Sequence, residues 1–274
     1  MHERGWPSII LNGKEKTRGG RRIQIRARTW KSAAAQRLLD RAGGNGTVED
    51  AVARLADECL AGVQCPPTDL ESVGSKLGVI GFHAEDIAGS GELRKDTDGF
   101  RIVYSVYLPP PSRRFTIAHE IGHVVLETLG LKSHRTGKEV ERLCDLFAVD
   151  LLMPRRAFIE CADGEISTQK IFDLAKHFRT SISATALRYA DLFHVSVFAY
   201  QDSEIIWRRG LAKSNGHVDT AFLPSIKGAL NGAKTSEEVF LDSNNSFQRW
   251  RIECQPLVPG KSVVCLVRPV PSRR

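Results

Sequence analysis

The chain has 274 residues, 42% of them hydrophobic, and a formal net charge of +7. That suits one large domain or two modest ones with real cores. No apolar run approaches the roughly 20 residues of a membrane span, and the N-terminal patch SIIL is too short for a secretory signal, so a soluble, cytoplasmic protein is expected.

The charge is uneven. Residues 1–41 carry eleven Lys and Arg against three Asp and Glu, whereas the remainder carries 28 against 29. Residues 1–45, with KEKTRGGRRIQIRARTWK and a closing GGNG, read as a basic, flexible arm. Such an arm is either a solvated tail or a weak, non-specific contact to nucleic-acid phosphate. Six cysteines are present without a Cys-x-x-Cys pair, and all six read as reduced thiols.

TVEDAVARLADECLAGV opens the ordered part. Thr47 is a plausible N-cap, Glu49 and Asp50 suit the first turn, and apolar residues recur at helical spacing. After Pro66 and Pro67, Thr68 or Asp69 can cap the next helix, and Gly78 ends it. VIGFHAEDI, GELRK and GFRIVYSVYL read as short strands. A helix is expected over 112–129 with Gly130 as its stop, then a polar loop, then a helix over 139–153 ended by Pro154. STQKIFDLAKHF and SISATALRYADLF form a pair resembling a helix-turn-helix, capped at Ser167 or Thr168 and at Ser181 or Ser183. Beyond Val195 a hairpin, a helix in FLPSIKGALNGA and three further strands make a small β-rich module.

The chemistry lies in FTIAHEIGHVVLE. Residues four apart share a helix face about 6 Å apart along the axis, so His119 and His123 can share one metal ion. Glu120, about 100° further round, suits a base acting on metal-bound water. A metzincin would need a third His at position 129, where Leu129 stands. His134 could reach the site only by folding back. A better third ligand is in VERLCDLFAVDLLMP, where Glu141 and Asp145 share a face. Glu141 can bind the metal while Asp145 accepts the free N–H of a ligating His, with His119 the expected partner. Glu139 and Asp150 are rival acids. Gly122, between the two His, is either tolerated or kept for a close backbone approach. Tyr104, Tyr107, Arg113, Arg114 and His134 are candidate donors to an oxyanion. The strand GFRIVYSVY is either a core strand or an edge on which a substrate could pair.

RRFTIAHEIGHVVLE followed by ERLCDLFAVDLLMP resembles the ImmA/IrrE family of zinc metallopeptidases. In that family an FTxAHExGH helix precedes one ending FAxxLLMP. The resemblance extends over about residues 48–193. It implies zinc on His119, His123 and Glu141, with Mn2+ or Fe2+ able to occupy the same ligands, and a catalytic Glu120. It also implies a protein substrate, a helix-turn-helix repressor whose cleavage relieves repression. Longer members carry a GAF-like sensor, for which residues 195–274 are short, and the basic arm lies outside the family pattern.

The expected fold is therefore α+β. A mostly helical peptidase domain over 46–193 includes a small antiparallel sheet and the helix-turn-helix-like pair. A mixed module, sensor-like in position, covers 194–274. The competing function is a DNA-binding or metal-sensing regulator, against which SISATALRYADLF offers a single basic side chain, Arg188.

Overall fold

The computed structural model describes residues 30–44, 46–130, 137–210, 220–243 and 246–270. Most of the basic arm and His134 lie outside these residues.

The arm ends sooner than its composition suggests. Ala33–Arg41 is a helix (α1) that buries Ala34, Ala35 and Leu38. Its N-terminus is held from a distance: Lys31 and Ser32 donate their backbone N–H groups to the Glu139 carboxylate, at 3.0 and 2.7 Å. The Arg142 guanidinium lies 4.3 Å from the Trp30 ring centroid. The basic count of residues 1–41 conceals this short apolar stripe.

Val48–Leu60 (α2) begins with a capping box between Thr47 and Asp50. Leu70–Lys76 (α3) is capped by Asp69. Thr68 is used otherwise, donating to the Leu151 carbonyl at 2.7 Å. Val79–Glu85 (β1), Gly91–Lys95 (β2) and Phe100–Ser105 (β3) form a sheet in the order β1-β3-β2. The expected antiparallel sheet is instead mixed. A four-residue turn makes β2 and β3 a hairpin, while β1 lies on the other side of β3 and runs parallel to it.

Pro110–Thr128 (α4) starts on two prolines, whose missing N–H groups cost nothing in a first turn. Lys138–Leu152 (α5) packs along it. Gly122 decides how close they come: a Cβ there would sit 3.2 Å from Cys144 Cα and Cβ, so the backbones meet directly. Beyond Pro154 a short helix, Arg155–Cys161 (α6), leads to Thr168–Phe178 (α7) and Ile182–Phe193 (α8), capped by Ser167 and Ser181. Arg179 joins them in the left-handed region, φ 53°.

The C-terminal sheet contains Ser196–Gln201 (β4), Glu204–Arg209 (β5), Thr235–Ser243 (β6), Ser246–Val258 (β7) and Ser262–Pro269 (β8). It is antiparallel in the order β5-β4-β8-β7-β6. Along β8 the alternation splits the core. Val264 and Leu266 join the helical core, whereas Val263, Cys265 and Val267 pack with Leu223–Leu230 (α9). Cys254 and Cys265 face each other across β7 and β8 and form a disulfide, which corrects the all-thiol expectation. The other four cysteines are free. No helix among the described residues is long and apolar enough to cross a membrane.

Candidate metal centre

Helix α4 turns Ala118, Ile121 and Val125 into the core, which leaves His119 and His123 on the adjoining, partly exposed face. Their ring centroids are 5.0 Å apart. From α5 the Glu141 carboxylate reaches both: Oε2 is 3.3 Å from His119 Nε2, and Oε1 is 3.6 Å from His123 Nε2. Oε1 is buried without a hydrogen-bond partner. Behind this trio, Asp145 Oδ1 lies 2.9 Å from His119 Nδ1. An ionised carboxylate only accepts, so Nδ1 carries the proton and Nε2 is the nitrogen presented to Glu141.

Glu120 is buried on the side of α4 that faces β2. A Cβ on Gly91 would collide with Thr116 Cγ2 and lie 3.2 Å from Glu120 Oε1. Glycine at the start of β2 therefore lets the strand lie against the acid. The sequence reading missed this role, although Gly91 opening a short strand in AGSGE was a usable signal.

Burial and charge divide these groups. Burial works against a charged His119, but the hydrogen bonds to Asp145 and Glu141 outweigh it and carry its pKa up to about 9. Burial, with the His119 charge, pushes His123 down. Burial raises Glu120 to about 7, opposed by the His119 charge and reinforced by Glu141 and Glu92. The hydrogen bond from His119 holds Glu141 below the usual carboxylate range.

The donor set fits a divalent cation: two imidazoles, a carboxylate with an orphaned buried oxygen, and an acid orienting one ring. A second grouping also exists, since His119, His123 and Cys144 place ligand atoms within 4.8 Å of one another. Cys144 is the weaker third donor. It lies under Gly122 among Leu38, Val52 and Leu55, and burial raises its thiol pKa well above the ordinary value.

The rival acids have other partners. Glu139 holds the start of α1. Asp150 is buried against Arg188, which also donates to the Met153 carbonyl at 3.0 Å. The oxyanion candidates among the described residues have other contacts too. Tyr107 donates to Asp86, Arg114 donates to the Thr68 carbonyl, and Arg113 lies over the Tyr104 ring. The strand GFRIVYSVY is central, between β1 and β2, so of its two readings the core strand holds, and the edge beside α4 is β2.

Residues 71–189 match the profile of the IrrE N-terminal-like domain. This segment is similar to the IrrE N-terminal-like domain. It runs from the first turn of α3 into α8 and contains His119, Glu120, His123, Glu141 and Asp145. The family is one of peptidases and implies a metal ion. A solved structure described as a Mycobacterium tuberculosis transcriptional regulator is similar over 85% of this chain and 78% of its own, with TM-score 0.54 and 14% identity. At that identity the likeness is one of fold, and it reaches beyond the IrrE-like segment. No curated protein matches the chain.

Proposed function

We propose that the protein is a cytoplasmic zinc-dependent endopeptidase that cleaves a regulatory protein, a helix-turn-helix repressor being the expected substrate. The carrying observation is the Glu141 carboxylate spanning both His Nε2 atoms while Asp145 holds the far nitrogen of His119. In this reading His119, His123 and Glu141 hold the ion, and Asp145 fixes the His119 tautomer. The ion, when bound, polarises the scissile carbonyl and acidifies the attacking water. Glu120 takes a proton from that water and delivers it to the leaving amine. Its buried place beside β2 keeps bulk water from competing for the same proton.

The test is a comparison of Glu120→Gln with the parent. The variant should keep about one zinc per chain and lose cleavage of a repressor substrate by roughly 10²–10⁴-fold. Cleavage that survives the substitution removes Glu120 from the mechanism. The DNA-binding reading is weakened by Arg188, the basic residue of α8, whose guanidinium is turned inward onto Asp150 and the Met153 carbonyl.

A further inference from the structure

A groove of about 660 Å³ lies between the start of α4 and the α7–α8 turn. Pro110, Pro111, Phe172, Ala175 and Ile182 give it apolar walls, and Arg113, Arg114, Lys176 and Arg179 bring four cations to it. No acidic side chain lines it among the described residues. The guanidinium groups are incompletely satisfied: Nε of Arg113 and Nε of Arg114 are buried without hydrogen-bond partners. Arg114 feels burial first and then the like charge of Arg179, both of which disfavour its charged form, while the charge of Asp69, outside the groove lining, works the other way. Lys176 and Arg179 are exposed. Cations gathered around a concave apolar surface, with no carboxylate among them, complement an anionic ligand that also has apolar groups to bury.

We propose that this groove is an exosite for an acidic, apolar-containing segment of the protein substrate. The inference builds on the peptidase reading and adds how a substrate is chosen. Arg113 precedes His119 by six residues, about 9 Å along the helix axis. The two positions also differ by about 120° around the helix, so a substrate segment held in the groove would reach the metal centre by passing round α4. Duplex DNA would satisfy the cations but has no side chains for the Phe172 and Ile182 walls, so the groove favours peptide.

The test measures binding apart from catalysis. The probe is a short fluorescein-labelled peptide of Glu interrupted by Leu, read by anisotropy against full-length, zinc-loaded Glu120→Gln protein. It should bind, the same peptide with Lys for Glu should not, and added salt should weaken the complex. Combining Lys176→Glu with Arg179→Gly should weaken binding by about tenfold at unchanged zinc content; glycine also suits the left-handed backbone at position 179. Should that double variant misfold, Lys176→Glu alone, at an exposed position, should still show a clear loss. Affinity within about threefold of the parent would overturn the proposal, because binding through the basic arm would be unaffected by these changes. Displacement of the peptide by duplex DNA, with DNA affinity falling equally in the variant, would overturn it in favour of nucleic acid. Peptide binding in a protein that never cleaves would defeat the peptidase reading and leave the groove standing. Cleavage whose KM ignores the double variant would do the reverse.

Discussion

Helix α5 meets α4 on one side and α8 on another through charged side chains. Toward α4, Glu141 and Asp145 gather around two imidazoles, and one carboxylate oxygen is left buried and unpartnered. Toward α8, Asp150 meets Arg188, whose guanidinium also takes up the Met153 carbonyl. One cluster sets its acid against two imidazoles, and the other sets its acid against a guanidinium, although Arg188 Nε is also left buried without a hydrogen-bond partner. Acids on one helix thus give a site or a fastening according to whether the facing groups are metal-ligating rings or a fixed cation.

That contrast is open to attack by mutation. The largest effect is expected at the unfilled acceptor. Glu141→Ala should abolish stoichiometric metal binding, whereas Cys144→Ser should retain it; metal analysis of the two proteins reads this, and the opposite result would make Cys144 the third ligand. Next comes the fastening: Arg188→Met leaves a buried, unpaired Asp150 and should destabilise the fold by about 3–5 kcal/mol in denaturant titration. Metal stoichiometry of that variant, measured in the folded protein, should not change. Asp145→Asn should weaken metal affinity by about 10–100-fold in competition with a chelator, because it disturbs the orientation of one ring only. Smallest is Glu139→Gln, which blunts the link to α1 and should cost about 1 kcal/mol, comparable to loss of a helix cap, with no change in metal binding. A metal defect in that variant would mean that Glu139 and Glu141 had exchanged roles.

The clustering of His119, His123, Glu141 and Asp145 was legible because its geometry is local. Two His four apart, and two acids four apart, must share helix faces wherever the helices go. Helices α2, α3, α4, α5, α7, α8 and α9 were legible for the same reason, with Thr47 as a cap and Asp69, Ser167 and Ser181 each one of two cap candidates, whereas the short α1 and α6 were not. Strand order was not, since nothing in GFRIVYSVY says that a neighbour covers each edge. The sequence favoured Glu141 over Glu139 and Asp150, but what the rivals do instead needed three dimensions, because their partners, Ser32 and Arg188, come from distant segments. The basic groove was illegible for the same reason: Arg113 and Arg114 are separated from Lys176 and Arg179 by more than 60 residues of chain.

Gly122 carries a last consequence. With Cys144 Cα and Cβ only 3.2 Å from where its Cβ would be, no cushion of side chains separates α4 from α5 at the level of the His pair. The gap between the imidazoles and Glu141 is then that of a calliper with welded jaws. An ion of another radius has to be met by swinging side-chain torsions, since the helices have no slack to give. Metal preference would thus be written partly into a missing methyl group, and Gly122→Ala should shift which divalent ion the protein retains as well as how stable it is.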